Sequence, residues 1–516
     1  MQDKVNQIYC GDNQEVLKTF QDNSICALIT DIPYALCDID ALKMIKENAN
    51  NSGDFLNKKW LLPSVDMLKE FYRVLKTGSY FITTFTPRQD LQCVFYYRLL
   101  EAGFDINFSP IYWAYTSGFP KASNYSKVIQ KQQNVEMEIV GKCERFGREG
   151  RKANCGYKEG YVGSNGTQNL EALQTITKPT TPEAIYCDGL YSNSPKPAVE
   201  VIIIAQKPHN KAKYQQALTW YNEKKELLDK GIKEEDLCFY TQNASGGVNF
   251  DKTRIPIESE VDANNMLTGF KGQKFNGNVY QTSITQKTTF EVHNNGRFPA
   301  NILVSDNSLD CGKDIKAGSD VKRSNRKTSA FVNHPIDSYG FQDSGDLSRY
   351  FSLDAWTKKH YPELYKLSKK TLELQEDAEK ISPFLFTSKP SQAEKNLGLE
   401  EFDKKNKYDR NCKSDSWHNT NHNNLNLMQN THVCVKPLAL FNYLITMFTH
   451  ENDIVVDPFC GSGATCISSV LTNRKYIGID INQEYVDIAK ARIEYWKQEN
   501  DGESKEENNN QPTLFD

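Results

Sequence analysis

Ile454-Val455-Val456-Asp457-Pro458-Phe459-Cys460-Gly461-Ser462-Gly463-Ala464-Thr465 is the stretch that decides the fold class. Ile454–Val456 reads as a short buried strand, and Ala464–Leu471 reads as a helix. A strand that passes through a glycine turn into a helix N-terminus builds a nucleotide-type site in an open α/β sheet. Gly461 and Gly463 let backbone approach a ligand with no Cβ in the way. The helix N-terminus favours an anionic group on that ligand. Asp480 closes the next strand, Tyr476–Ile479, about 20 residues further on, where an acid can accept ribose hydroxyls. The third glycine of a dinucleotide fingerprint is missing, which argues against NAD or FAD.

Outward from this stretch, Leu438–Thr449 and Tyr485–Trp496 read as helices. The N-terminal part has the same rhythm. Val5–Tyr9 is a strand ending at Gly11-Asp12, and Ile25–Thr30 is a second strand, apolar enough to be buried on both faces. Ser64–Leu75 places Val65, Leu68, Phe71, Tyr72 and Leu75 at helical spacing up to Gly78. Tyr80–Phe85 is a strand, Leu91–Leu100 a helix ending at Gly103, and Asn107–Tyr115 a strand. This alternation predicts a doubly wound sheet.

From about 135 to 430 the rhythm mostly fails. Val199–Ala205 is one clear strand, and Tyr214–Leu228 is an amphipathic helix with Tyr214, Ala217, Leu218, Tyr221 and Leu228 on one side. Asn406–Gln429 is polar and Asn-rich, the composition of a mobile loop. The expected organisation is a split sheet domain, 1–134 and 430–497, around an insertion, 135–429. Within that insertion 199–207 returns to the core sheet. Residues 498–516 form an acidic tail expected to be disordered.

Composition is that of a soluble globular protein, with 38% hydrophobic and 25% charged residues. The thirteen cysteines include no CxxC pair and fit a reducing cytoplasm. Neither a signal peptide nor a membrane span is expected. The net charge of −4 speaks mildly against a nucleic-acid partner, yet six Lys/Arg against two Asp lie between Cys311 and Ala330.

Asp31-Ile32-Pro33-Tyr34 follows the buried strand Ile25–Thr30, at the carboxyl edge where open sheets bind ligands. These residue types suit an exocyclic amine, whose lone pair is delocalised into its ring. The Asp31 carboxylate and the Ile32 carbonyl can each accept one N–H and turn the nitrogen toward tetrahedral geometry. Pro33 stiffens the turn, and Tyr34 can stack on a base flipped from the duplex.

Taken together, the two motifs resemble the DNA amino-methyltransferases, whose catalytic motif is Asp/Asn/Ser-Pro-Pro-Tyr/Phe/Trp. The catalytic motif precedes the cofactor loop here, as in the β-class. Ser117–Lys121, Lys196–Glu200, Ala205–Pro208, Gly246–Asn249 and Gly296–Asn301 are similar to segments of prophage-type site-specific DNA methylases. The resemblance implies a permuted Rossmann-like S-adenosylmethionine-dependent methyltransferase sheet with a large inserted target-recognition region. It implies that Asp31, Ile32, Pro33 and Tyr34 are catalytic. S-adenosyl-L-methionine would be held by Asp12, Lys436, Pro437, Asp457, Phe459, Gly461, Gly463, Thr465 and Asp480. Asp12 corresponds to an acid near the adenosine. His432–Pro437 corresponds to the family's His-Pro-x-x-Lys-Pro segment, which lines the methionine pocket.

This sequence departs from the family pattern at Ile32, which replaces the first proline, at Ala464, which replaces a threonine, and at Val433, which replaces a proline. Asp at the first position of the tetrapeptide favours adenine N6 over cytosine N4. Because of Ile32, a DNA-binding protein with impaired catalysis is the reading of another class.

Double-stranded DNA is the expected partner, in a restriction-modification setting. Arg145, Arg148, Arg151 and Lys152, and Lys322, Arg323, Arg326 and Lys327, are the candidate phosphate contacts. Gln511–Phe515 resembles the short peptide by which bacterial proteins dock on the replication sliding clamp. A homodimer is left open. His418 and His422 have helical metal-ligand spacing but no third ligand in sequence, so no metal site is expected.

Overall fold

Among the described residues eight strands form the central sheet: β1 (Gln7–Cys10), β2 (Ile25–Asp31), β3 (Leu75–Phe85), β4 (Ile111–Ala114), β5 (Val199–Gln206), β6 (Ile302–Val304), β7 (Ile454–Asp457) and β8 (Lys475–Asp480). Their spatial order is β1-β8-β7-β2-β3-β5-β4-β6. Among these strands β5 alone runs antiparallel to its neighbours, β3 and β4. The computed structural model describes residues 1–34, 41–46, 53–55, 58–60, 62–114, 122–142, 175–192, 198–257, 296–305, 315–316, 344–345, 351–373, 390, 392–406, 427–432 and 434–507.

Alternating residues of β2 enter two different cores, as a strand covered on both faces requires. Ala27 and Ile29 join a cluster with Leu444, Ile445, Ile467 and Ile493. Leu28 joins the opposite cluster with Leu17, Leu68, Phe71 and Phe95. The second cluster is supplied by α1 (Asn13–Lys18), α2 (Val65–Val74) and α3 (Gln89–Glu101). The first is supplied by α5 (Leu438–Phe448), α6 (Ala464–Leu471) and α7 (Gln483–Glu507). α5 is apolar around nearly its whole circumference and is buried accordingly.

The expected doubly wound sheet is present, with Val199–Gln206 inside it. Several boundaries differ from expectation. No loop separates α2 from β3, because Leu75 is already extended (φ −66°, ψ 139°) and pairs with Ile25. β4 starts only at Ile111, directly after Pro110, which has no N–H to give a ladder. Ile302–Val304, expected inside the insertion, is the edge strand β6 beside β4; three residues are too few to show a period. α7 runs to Glu507, into the part of the tail expected to be disordered, a stretch in which Glu, Lys and Gln favour helix by propensity.

Between β5 and β6 lies α4 (Lys213–Asp229). Its apolar stripe faces solvent, with Tyr214 68% and Tyr221 57% exposed. The opposite side holds the helix through polar anchors. Gln216 Nε2 donates to the Ala244 carbonyl at 2.9 Å, and Glu223 accepts from the Gln242 N–H at 2.7 Å. Both expected basic clusters, the His418/His422 pair and the Gln511–Phe515 peptide lie outside the described residues. No described helix is long and apolar enough to cross a membrane. No disulfide joins the eight described cysteines.

Candidate active site

β7 and β2 are hydrogen-bonded neighbours in parallel, with Val456 beside Leu28. From β7 the chain proceeds to β8 on one side, and from β2 to β3 on the other. Their carboxyl ends therefore open a crevice at a topological switch point. Thr30, the residue before Asp31, ties the two together: its Oγ1 donates to Asp457 Oδ1 at 2.5 Å across 427 positions of sequence.

The glycine loop is fixed from within. Asp457 Oδ2 accepts from Thr465 Oγ1 at 2.6 Å, and Oδ1 also accepts from the Phe459 N–H at 3.0 Å. Burial, only partly offset by these donors, pushes the Asp457 carboxyl up to about 7. Its oxygens are thus turned into the loop. Asp480 Oδ2 accepts from the Gly461 N–H at 2.9 Å. Gly461 has φ +50°, and a Cβ there would come within 2.5 Å of His432 Nε2, so glycine is what lets this imidazole close on the loop. Gly463 has φ +82° and lies against Ala489 of α7.

Asp12 sits on the rim next to Asp480. Its Oδ1 caps α1, accepting from the Gln14 N–H at 2.9 Å, and the adjoining Gly11 N–H donates to the Asp480 carbonyl at 3.0 Å. Asn13 Nδ2 donates to the Pro458 carbonyl at 3.1 Å and ties this turn to the glycine loop.

Asp31 ends β2 among protein donors. Its Oδ1 accepts from the Tyr34 hydroxyl at 2.7 Å and from the Thr84 hydroxyl of β3. Its Oδ2 lies 3.0 Å from the Lys436 ammonium, which lies 3.1 Å from Glu200 Oε2. All three side chains are largely buried, with Asp31 19%, Lys436 11% and Glu200 16% exposed. Burial alone would lower the Lys436 pKa, but the Asp31 and Glu200 carboxylates outweigh it and hold the ammonium well above the ordinary lysine range. Burial, with the Asp31 charge beside it, holds the Tyr34 phenol well above its ordinary value. Ile32 is 2% exposed in the core, and its N–H points to Thr83 Oγ1 at 3.4 Å. The Tyr34 ring packs edge-on against Phe85 at 5.6 Å.

Residues 321–491 match the family model described as DNA methylase. Part of the chain is 42% identical over 64 residues to the type II methyltransferase M2.MboI of Moraxella bovis, covering 12% of this chain and 23% of that one. It is 40% identical over 81 residues to M.HpaI of Haemophilus parainfluenzae, 16% of this chain and 26% of the relative. It is 40% identical over 63 residues to the DNA adenine methyltransferase YhdJ of Escherichia coli strain K12, 12% and 21%. Over residues 321–491 the chain is similar to the DNA methylase family. The shared stretches span about a quarter of those relatives' lengths. Among solved structures, the DNA modification methylase TTHA0409 of Thermus thermophilus aligns over 96% of both chains at 12% identity and a TM-score of 0.33.

The DNA methylase match begins at residue 321, so it holds β7, the glycine loop and β8 but not Asp31. The sheet brings Asp31 in. Of the residues expected at the site, Asp31, Ile32, Pro33 and Tyr34 stand at one side of the crevice with Lys436 and Pro437. Asp457, Phe459, Gly461, Gly463, Thr465, Asp480 and Asp12 stand at the other. Thr30, Thr84 and Glu200 escaped the sequence reasoning. Ile481, directly after Asp480, is 76% exposed. For Glu200 the signal was a lone charge in the apolar strand Val-Glu-Val-Ile-Ile-Ile.

Proposed function

We propose that this protein transfers a methyl group from S-adenosyl-L-methionine to the N6 amine of adenine in double-stranded DNA. The observation that carries the proposal is the Thr30–Asp457 bond, which sets Asp31 and the glycine loop in one crevice. The residues present fit the cofactor. The loop is shaped by glycines, α6 presents its N-terminus, and Asp480 stands at the end of the next strand with exposed Ile481 beside it. In the proposal Asp480 accepts the ribose hydroxyls, Ile481 and Phe459 offer apolar contact to the purine, and Asp12 lies on the adenosine side. Gly461, Gly463, Lys436 and Pro437 border the methionine end. Asp457 and Thr465 act by holding the loop's shape. When bound, the cofactor supplies an electrophilic sulfonium methyl.

The chain's own residues prepare the amine. Asp31 and the Ile32 carbonyl each accept one amine N–H, and the Tyr34 ring lies on the extruded base. To do so Tyr34 gives up its hydrogen bond to Asp31, while Thr84 and Lys436 remain. The nitrogen lone pair is freed from ring conjugation, and the Asp31 carboxylate takes the proton that the methylated nitrogen sheds. The rate gain comes from position and electrostatics. Adenine is favoured by Asp31 at the head of the motif and by the name of the relative YhdJ.

Incubating the protein with labelled S-adenosylmethionine and unmethylated DNA, then separating nucleosides by mass, tests this. N6-methyladenine is expected from the wild type and none from Asp31→Ala; N4-methylcytosine would overturn the base assignment, and no label would overturn the activity. In the same reading the Arg145–Lys152 and Lys322–Lys327 clusters contact phosphates in a cytoplasmic setting. Gln511–Phe515 docks on the sliding clamp, which deletion and a clamp-binding assay would check.

A further inference from the structure

Lys436 is the one ammonium at Asp31 among the described residues, and it has two carboxylate partners rather than one. The second comes from an unusual place. β5 runs against β3, with Thr84 beside Ile202 and Phe85 beside Val201. Its first residues therefore lie at the carboxyl edge of the parallel strands, and Glu200 reaches the crevice from a strand that belongs to neither motif.

The charge count gives this placement a consequence. One ammonium between two carboxylates leaves a net −1 in a largely buried cluster. A carboxylate paired alone with a buried ammonium has its charge neutralised, and it is a weaker acceptor for a neutral amine N–H than one in a cluster that keeps surplus negative charge. With Glu200 as the standing counter-ion, Lys436 stays satisfied when Asp31 turns to the base, and the surplus negative charge remains on Asp31. The Lys436 ammonium has three donors, enough to keep Glu200 throughout.

We propose that Glu200 is a positioning residue for methyl transfer, holding Lys436 so that Asp31 keeps its charge for the target amine. The inference rests on the proposed methyltransferase reading. It predicts that Glu200→Gln, which keeps shape but removes the charge, slows single-turnover transfer by on the order of 100-fold. KM for DNA and the cofactor Kd should stay within about 3-fold, which also certifies the fold. Glu200→Asp, which retains the charge, should keep clearly more of the rate than Glu200→Gln. In a Lys436→Met background, adding Glu200→Gln should cost less than about 3-fold, because the group it acts through is gone.

Four outcomes overturn the inference alone while wild-type transfer and its loss in Asp31→Ala stand. They are an undiminished rate in Glu200→Gln, a loss confined to KM, equal losses in the Asp and Gln variants, or the same fold-loss with and without Lys436. A wild type that binds cofactor but transfers no methyl, or an Asp31→Ala variant as fast as wild type, overturns the methyltransferase reading and this inference with it.

Discussion

In the proposed reaction the base meets an Asp31 carboxylate that already has three donors, Tyr34 and Thr84 on Oδ1 and Lys436 beside Oδ2. Thr84 belongs to a central strand and Lys436 is held by Glu200, so Tyr34, on the loop after β2, is the donor that can leave. Its hydroxyl and its ring then have separable roles. Tyr34→Phe should keep methyl transfer within about 5-fold of wild type, since the ring survives. Tyr34→Ala should lose roughly 10- to 100-fold, the worth of one base–aromatic stack. Equal losses in the two variants, measured as kcat/KM, would put the function in the hydroxyl instead. At this scale the sequence was legible wherever residues are contiguous: the strand that leads into Asp31–Tyr34 ends at Asp31, as its apolar run predicts. The Asp31–Lys436–Glu200 cluster was not legible, because its members meet through strand register. Nor was the place of Ile32. Its side chain fills core, and its N–H faces the Thr83 hydroxyl, a donor that the proline it replaces would lack.

The strand–turn–helix unit of β7 and α6 was legible as a whole, since its apolar run, glycines and small-residue helix follow one another in sequence. The inward turn of Asp457 was hidden, because its partner Thr30 lies in the other half of the sheet domain. That inward turn has a pH signature. The folded carboxyl titrates at about 7, raised by burial above the value of about 3.9 expected in the unfolded chain. A raised pKa means the folded state binds the proton more tightly. The stabilisation is complete below the unfolded value and is lost as pH rises through about 7. The thermal midpoint should therefore fall between about pH 4 and pH 7 and level off above that. Asp457→Asn, whose amide can still bond both threonine hydroxyls, should flatten that fall; an undiminished slope in the variant would refute the assignment. α4 shows the other limit of the sequence signal. Its period gives a helix, but a period cannot say whether the apolar side meets the core or water, and here Gln216 and Glu223 decide the orientation.

On the scale of the molecule, the two ends of the sequence share one sheet. β1 lies beside β8, and β7 lies between β8 and β2. That strands from both ends of the sequence belong to α/β structure was legible because the rhythm stops and resumes, whereas the three-residue edge strand β6 lay below any sequence signal. The topology also sets what part of the chain can stand alone. A fragment of residues 321–516 contains the whole DNA methylase match, with β7, β8 and α5–α7. It lacks β1 and β2, the outer partners of its two strands, and it lacks α1–α3, the layer over the second face. A two-stranded parallel ribbon with open edges and one bare face does not satisfy its backbone or bury its apolar side chains. Ile454, Val456, Ile477 and Ile479, all buried in the cluster facing that layer, would meet water. The fragment is therefore expected to show no cooperative thermal transition and little near-ultraviolet circular dichroism. Co-expression with residues 1–320 should restore both, because the missing strands and helices dock on the same register. A cooperative transition from 321–516 alone would mean that the family-matched segment folds without β1 and β2.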